Sequence, residues 1–120
     1  MKAIDRLPTA RDLTVPILDV LARSEEGVDV QTLEQSVALM LRIPSKLLTI
    51  RHKASGAERR TEFQYRLAWA RSYIKRAGYA INPRRNYWRI LKKPESGLSG
   101  TVIARIVMQK KSVQRKVSNL

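Results

Sequence analysis

The stretch Thr61–Ile90, TEFQYRLAWARSYIKRAGYAINPRRNYWRI, decides the fold because the period of its apolar residues changes part-way along. Phe63, Leu67, Ala70, Ile74 and Ala77 recur at spacings of four and three. That places them on one narrow stripe and predicts a helix over 61–77, stopped by Gly78. Trp69 and Tyr73 widen the stripe and are read as core. Arg66 projects on the Ala70 side and is read as structural. The opposite face holds Gln64, Ala68, Arg71, Ser72 and Lys75. After Gly78 the pattern alternates. Tyr79-Ala80-Ile81 and Tyr87-Trp88-Arg89-Ile90-Leu91 flank Asn82-Pro83-Arg84-Arg85-Asn86. Two aromatic, β-branched runs around a Pro/Asn turn predict a β-hairpin. Its tip carries Arg84 and Arg85, and Trp88 is read as core.

Upstream lie two shorter helical patterns. Leu13, Ile17, Leu18 and Leu21 predict a first helix over 10–23, with Thr9 as its N-cap and Asp12 near its positive end. Pro16 should kink that helix or move its start towards Val15. Glu25-Glu26-Gly27 ends it, and the glutamates read as its polar end. Val28-Asp29-Val30 alternates as a short strand. Thr32 is the expected cap of a second helix over 33–41, with Leu33, Val37, Met40 and Leu41 on its apolar face and Pro44 breaking it. Residues 45–61 include Gly56 and several charges and read as a loop with one helical turn at Ser45–Leu48. After a linker at 92–100, the tail from about Ser99 places Val102, Ile106, Val113, Val117 and Leu120 on a helical stripe. Its many β-branched residues weaken the helical preference and keep a strand through Val102–Met108 open.

Charge divides the chain at the same place. Residues 1–50 carry six Lys/Arg against seven Asp/Glu, and residues 51–120 carry eighteen against three, together the net +14. A neutral scaffold joined to a strongly basic half presents one surface to a polyanion. The chain of 120 residues, 43% of them hydrophobic, is long enough for one domain with a modest core. It has no cysteine, so disulfides, thiolate zinc sites and cysteine nucleophiles are excluded. The N-terminus lacks the apolar run of a signal peptide, and no segment approaches about 18 uninterrupted apolar residues, so no membrane role and a cytoplasmic location are expected.

Helix, short strand, helix, loop, amphipathic helix and hairpin is the element order of a winged helix. The expected fold is mainly α with a small β-hairpin. It is a winged helix-turn-helix DNA-binding domain over 1–93 plus a basic, helical C-terminal extension over 94–120. In this geometry the 61–77 helix enters the major groove of double-stranded DNA and the hairpin, the wing, lies on the backbone or in the minor groove. Gln64, Arg71 and Lys75 suit base edges and phosphates. Arg84 and Arg85 reach the backbone from the wing. Arg59 and Arg60 lie where the helix N-terminus approaches phosphate.

The blocks Leu7-Pro8-Thr9, Leu13, Pro16-Ile17-Leu18, Arg66–Gly78 and Pro83–Ile90 also resemble the N-terminal winged-helix domain of Mrr-type restriction endonucleases, over roughly residues 7–92. The resemblance implies a DNA-binding module whose relatives carry a separate C-terminal nuclease domain acting on modified DNA. No counterpart of that nuclease domain is expected in these 120 residues. Its chemistry needs an acidic residue with a Glu-x-Lys or Gln-x-Lys pair at a divalent metal. Gln109-Lys110-Lys111 matches in spelling, but the acidic residue after Glu62 is Glu95 alone.

The sequence therefore predicts no enzyme, no catalytic residue, no metal and no cofactor; Gly-rich phosphate loops and HExxH are absent. His52 is the sole histidine and has no partner spacing. Cleavage, where relevant, is expected from a separate nuclease or regulatory subunit, and the tail suggests a homodimer. The competing reading is a protein–protein adaptor whose basic face docks an acidic partner. RNA binding ranks last because the aromatics read as buried.

Overall fold

The structure, a computed structural model, describes residues 2–53 and 59–118, with side chains to residue 116. A short 3-10 turn at Ala3–Arg6 precedes α1, Ala10–Arg23. β1, Val28–Asp29, leads into α2, Val30–Met40, and a single turn α3, Ser45–Leu48. The long helix α4, Glu62–Arg76, is followed by β2, Ala80–Arg84, and β3, Tyr87–Ile90, and α5 spans Gly100–Ser118. The strands form one antiparallel sheet in the order β1-β3-β2. This is the expected mainly α fold with its hairpin and C-terminal helix.

Local chemistry sets the helix starts. At α1 the Thr9 hydroxyl accepts from Asp12 N (3.1 Å) while the Asp12 carboxylate accepts from Thr9 N (3.3 Å). This reciprocal box fixes the first turn. Pro16 therefore does not move the start: α1 begins at Ala10 and has Pro16 inside it. α2 begins three residues before the sequence suggests, because its cap is Asp29 and not Thr32. The Asp29 carboxylate accepts from Thr32 N and from the Thr32 hydroxyl, both at 2.8 Å. Those bonds, the backbone one foremost, hold the Asp29 carboxyl below its ordinary value. Val30 consequently belongs to the helix and not to β1.

One core joins all the layers. Leu13, Ile17, Leu18 and Leu21 of α1 meet Leu33 and Val37 of α2, Phe63, Leu67, Ala70 and Ile74 of α4, and Ala80, Trp88 and Ile90 of the hairpin. Ile103 and Val107 of α5 complete it. The tail thus folds back over its first half, along a line shifted by one residue from the expected Val102–Ile106–Val113 stripe. Val113 is 61% exposed, and every described side chain from Met108 to Lys116 is exposed. The side chain of Val117, Leu120, and the loop residues 54–58 with Gly56 lie outside the described residues. Tertiary burial of Ile103 and Val107 outweighs the weak helical preference of β-branched residues, and no strand forms at 102–108. Ser99 starts α5 by accepting Val102 N on its hydroxyl (3.2 Å). The intervening linker is tied down: the Tyr79 hydroxyl donates to Glu95 (2.6 Å). Burial and that bond push the Tyr79 hydroxyl up to about 12.

Gly100 lies directly against the Arg11 backbone carbonyl, so a β-carbon there has no room. Gly100→Ala should lower stability by about 1–3 kcal/mol through overpacking between α1 and α5. A urea midpoint unchanged from wild type would show that α5 does not dock on α1 this way.

Candidate nucleic-acid interface

The position of α4 is fixed at its N-terminus. Thr61 caps it by accepting Gln64 N on its hydroxyl (3.1 Å), and Gln64 Oε1 accepts from Thr61 N (3.0 Å). The incoming chain pairs with itself through an Arg51–Thr61 bridge, with Glu62 N donating to Ile50 O (2.7 Å) and His52 N to Arg60 O (3.1 Å). The buried Glu62 carboxylate is the hub. It accepts from Arg66 Nε (3.0 Å) and lies 2.8 Å from His52 Nδ1. Arg66 Nη1 donates in turn to the carbonyls of Leu7 (2.9 Å) and Pro8 (3.1 Å). Burial alone would raise the Glu62 carboxyl. The hydrogen bonds and charges of His52 and Arg66 outweigh it and hold the group below its ordinary value.

A helix side chain advances about 100° per residue, so the direction opposite the buried stripe is occupied by Ser72, Tyr65 and Arg76, with Ala68 and Trp69 beside them. On the hairpin side of that face a groove opens between α4 and the wing. Ala68, Arg71, Ser72 and Lys75 line one wall, and Asn82, Arg85 and Asn86 the other. Arg71 lies with its guanidinium 5.9 Å from the ring centre of buried Trp88. Burial lowers its pKa, Glu34 opposes this and Arg60 adds to it. An arginine stays charged through such a change.

The wing is held stiff. Its two-residue turn is Arg85-Asn86, with Asn86 in the left-handed region at φ 61°. Asn82 Nδ2 donates to the carbonyls of Arg84 and Tyr87, both at 2.7 Å. Val30 N donates to Asn86 O (2.8 Å), which ties the tip to the start of α2. Arg84 lies over the Tyr87 ring at 4.2 Å and Arg85 is exposed at the tip. A second, acidic groove adjoins, lined by Asp29, Gln31, Glu34, Gln64 and Asn86 among others.

The family profile described as the Mrr N-terminal domain matches residues 11–99. That is well over half of the chain. The chain belongs to the Mrr N-terminal domain family. No curated protein and no solved structure gives a significant match. The profile ends where α5 begins, so the matched region is the winged helix with its linker. This Mrr N-terminal domain corresponds to the non-nuclease part of Mrr proteins. Among its described residues no cluster of three or more His, Cys, Asp and Glu is placed to hold a metal ion, and no helix is long and apolar enough to cross a membrane.

Within this Mrr N-terminal domain the structure brings Arg71, Lys75 and Arg85 to one groove and leaves Arg84 beside it. Arg60 and Arg59 sit at the far end of α4, Arg60 with its guanidinium 5.5 Å from the Tyr65 ring centre. Gln64 has structural duties: besides capping, its Nε2 lies 3.0 and 3.3 Å from the two oxygens of Glu34. Three things were not read from the sequence. His52 is no idle loop residue but part of the Glu62 hub, stacked on Tyr65 at 3.6 Å. Trp69 is 42% exposed and not core. Glu34 stands between Gln64 and Arg71. A wheel centred opposite the buried stripe finds Tyr65, Trp69 and Arg76; the His52–Glu62 pairing spans a loop and has no sequence period.

Glu62→Gln should cost about 1–3 kcal/mol, because Arg66 and His52 lose a charged partner in a mostly dry setting. The depressed native value fixes the pH direction. The stability that Glu62 contributes is present above its ordinary value of 4.5 and is lost as pH falls through the lower folded value. The melting-temperature gap between wild type and Glu62→Gln should therefore shrink between about pH 6 and about pH 3. A gap that is constant or widens on acidification contradicts this account.

Proposed function

We propose that the chain is a non-enzymatic, double-stranded DNA-binding winged-helix protein, the recognition part of a restriction or defence system. The observation that carries the reading is the α4–wing groove, into which Arg71, Lys75 and Arg85 converge from two rigid elements. Two walls fixed at this spacing suit a phosphate backbone running between a helix in the major groove and a hairpin outside it.

In this proposal α4 enters the major groove with Arg71 and Lys75 on base edges or phosphates. Gln64, whose amide is engaged by Thr61 N and Glu34, would join the contact by exchanging those bonds. Arg84 and Arg85 contact the backbone or minor groove, and Arg59 and Arg60 take phosphates near the N-terminus of α4. Membership of the Mrr family supports the restriction context, with cleavage supplied by another chain. A homodimer through the C-terminal segment would use the exposed distal half of α5, since the proximal half is occupied by the core.

Neutralising about four to six phosphates gives log K against log salt a slope of roughly −4 to −5. Replacing Arg84 and Arg85 together by Ala should flatten that slope by about one to two units in fluorescence-anisotropy titrations with random duplex. An unchanged slope removes the wing from the contact set. Absence of duplex binding even at low salt favours the protein-adaptor reading instead.

A further inference from the structure

On the side of α4 away from the wing, four rings form a continuous row. His52 stacks on Tyr65 at 3.6 Å and 14° between planes. Tyr65 meets Trp69 edge-on at 6.4 Å, and Trp69 meets Tyr73 at 6.3 Å. Tyr65, Trp69 and Tyr73 are four residues apart and so run along one line of the helix. Tyr73 rests against the core and His52 covers Tyr65, but Trp69 at the centre is 42% exposed. A large ring is thus held open to solvent and braced by a neighbour one turn away on each side. Its orientation is fixed before anything binds, which removes much of the ordering cost of contact.

The surroundings identify the occupant. Arg60 reaches to 5.5 Å from the Tyr65 ring centre. Arg76 is exposed on the same side of α4, and Arg51 and Arg59 are exposed on the approaching segment. Glu62, which meets the row at His52, is buried and already hydrogen-bonded to His52 and Arg66. A large, partly exposed ring set among cations matches a ligand with flat rings on an anionic backbone. Bases inside a matched duplex present only their edges in the grooves. Bases that are unpaired present their faces.

The geometry points to a second ligand surface on α4, a stacking platform centred on Trp69 that takes unpaired bases of a DNA strand. The inference rests on the duplex-binding reading for which side of α4 meets nucleic acid. It goes further by assigning this domain a preference for strands that are open or carry an extrahelical base. The groove and the platform lie on adjacent sides of one helix, so a single domain can hold the paired and the unpaired part of a distorted site.

The test compares the full chain with Trp69→Ala, Trp69→Phe and Trp69→Leu, each checked for wild-type helicity by circular dichroism. Each is titrated by fluorescence anisotropy with an oligothymidylate single strand, a matched duplex, and that duplex carrying one unpaired thymine. The expected result is that Trp69→Ala lowers the ratio of single-strand to matched-duplex affinity by roughly 5- to 100-fold. Trp69→Phe, which keeps a π-face, should retain most of the ratio, and Trp69→Leu should behave as Trp69→Ala. Preference of the wild type for the unpaired-thymine duplex over the matched one, lost in Trp69→Ala, supports a single looped-out base as occupant. Wild-type ratios in Trp69→Ala overturn the proposal. So does equivalence of Leu and Phe, which marks a merely apolar protein-docking patch. Binding of the matched duplex without any single-strand binding sinks the platform and leaves the duplex reading standing. Single-strand binding without duplex binding does the reverse.

Discussion

The buried Glu62 carboxylate is the constraint on which the geometry of this molecule depends. It lies at the first residue of α4 and is shared by His52, from the segment before the helix, and Arg66, one turn along it. Through Arg66 the same hub reaches the carbonyls of Leu7 and Pro8, nearly sixty residues away in sequence. Three pieces of backbone that a hydrophobic core alone would leave free to slide are therefore pinned to the start of one helix. A buried carboxylate is tolerated only when such partners surround it. That requirement makes the hub specific: it holds α4 in one direction, and every cation and ring on the outward side of α4 inherits its position from it.

At the other end the wing shows the same economy by different means. It is a two-residue turn with no core of its own, stiffened by the Asn82 amide and by the bond from Val30 N to Asn86 O. Arg85 and Lys75 consequently face each other across a groove whose walls are both anchored. Basic side chains on rigid elements lose less freedom on meeting a phosphate than the same residues on a mobile tail. The distal half of α5 is basic too, but its described side chains, Met108 to Lys116, are all exposed.

Much of this was legible in the sequence, for a physical reason. The 4, 3, 4, 3 spacing from Phe63 to Ala77 and the alternation from Tyr79 to Leu91 are local periodicities, and burial follows them closely. The winged-helix order follows, and so do Thr9 as the cap of α1 and the structural role of Arg66. What escaped depends on pairing between distant residues or on the exact angle of a helix. Asp29 outcompeted Thr32 as a cap because its carboxylate reaches both Thr32 donors. His52 gained a role only through Glu62, across a loop. Trp69 borders the apolar stripe in sequence, yet it lies far enough round the helix to face solvent. The α5 stripe was displaced by one residue because only its first half meets the core, and a periodicity averaged over the whole tail hides that.

The central claim is that α4 and the wing form one duplex-binding surface. The most direct test is amide chemical-shift mapping of the isotope-labelled chain titrated with a short random-sequence duplex. The account predicts that the perturbed amides cluster on the outward side of α4, around Ala68, Arg71, Ser72 and Lys75, and at Arg84 to Asn86 in the wing. Perturbations confined to the distal half of α5, with α4 and the wing silent, would contradict it.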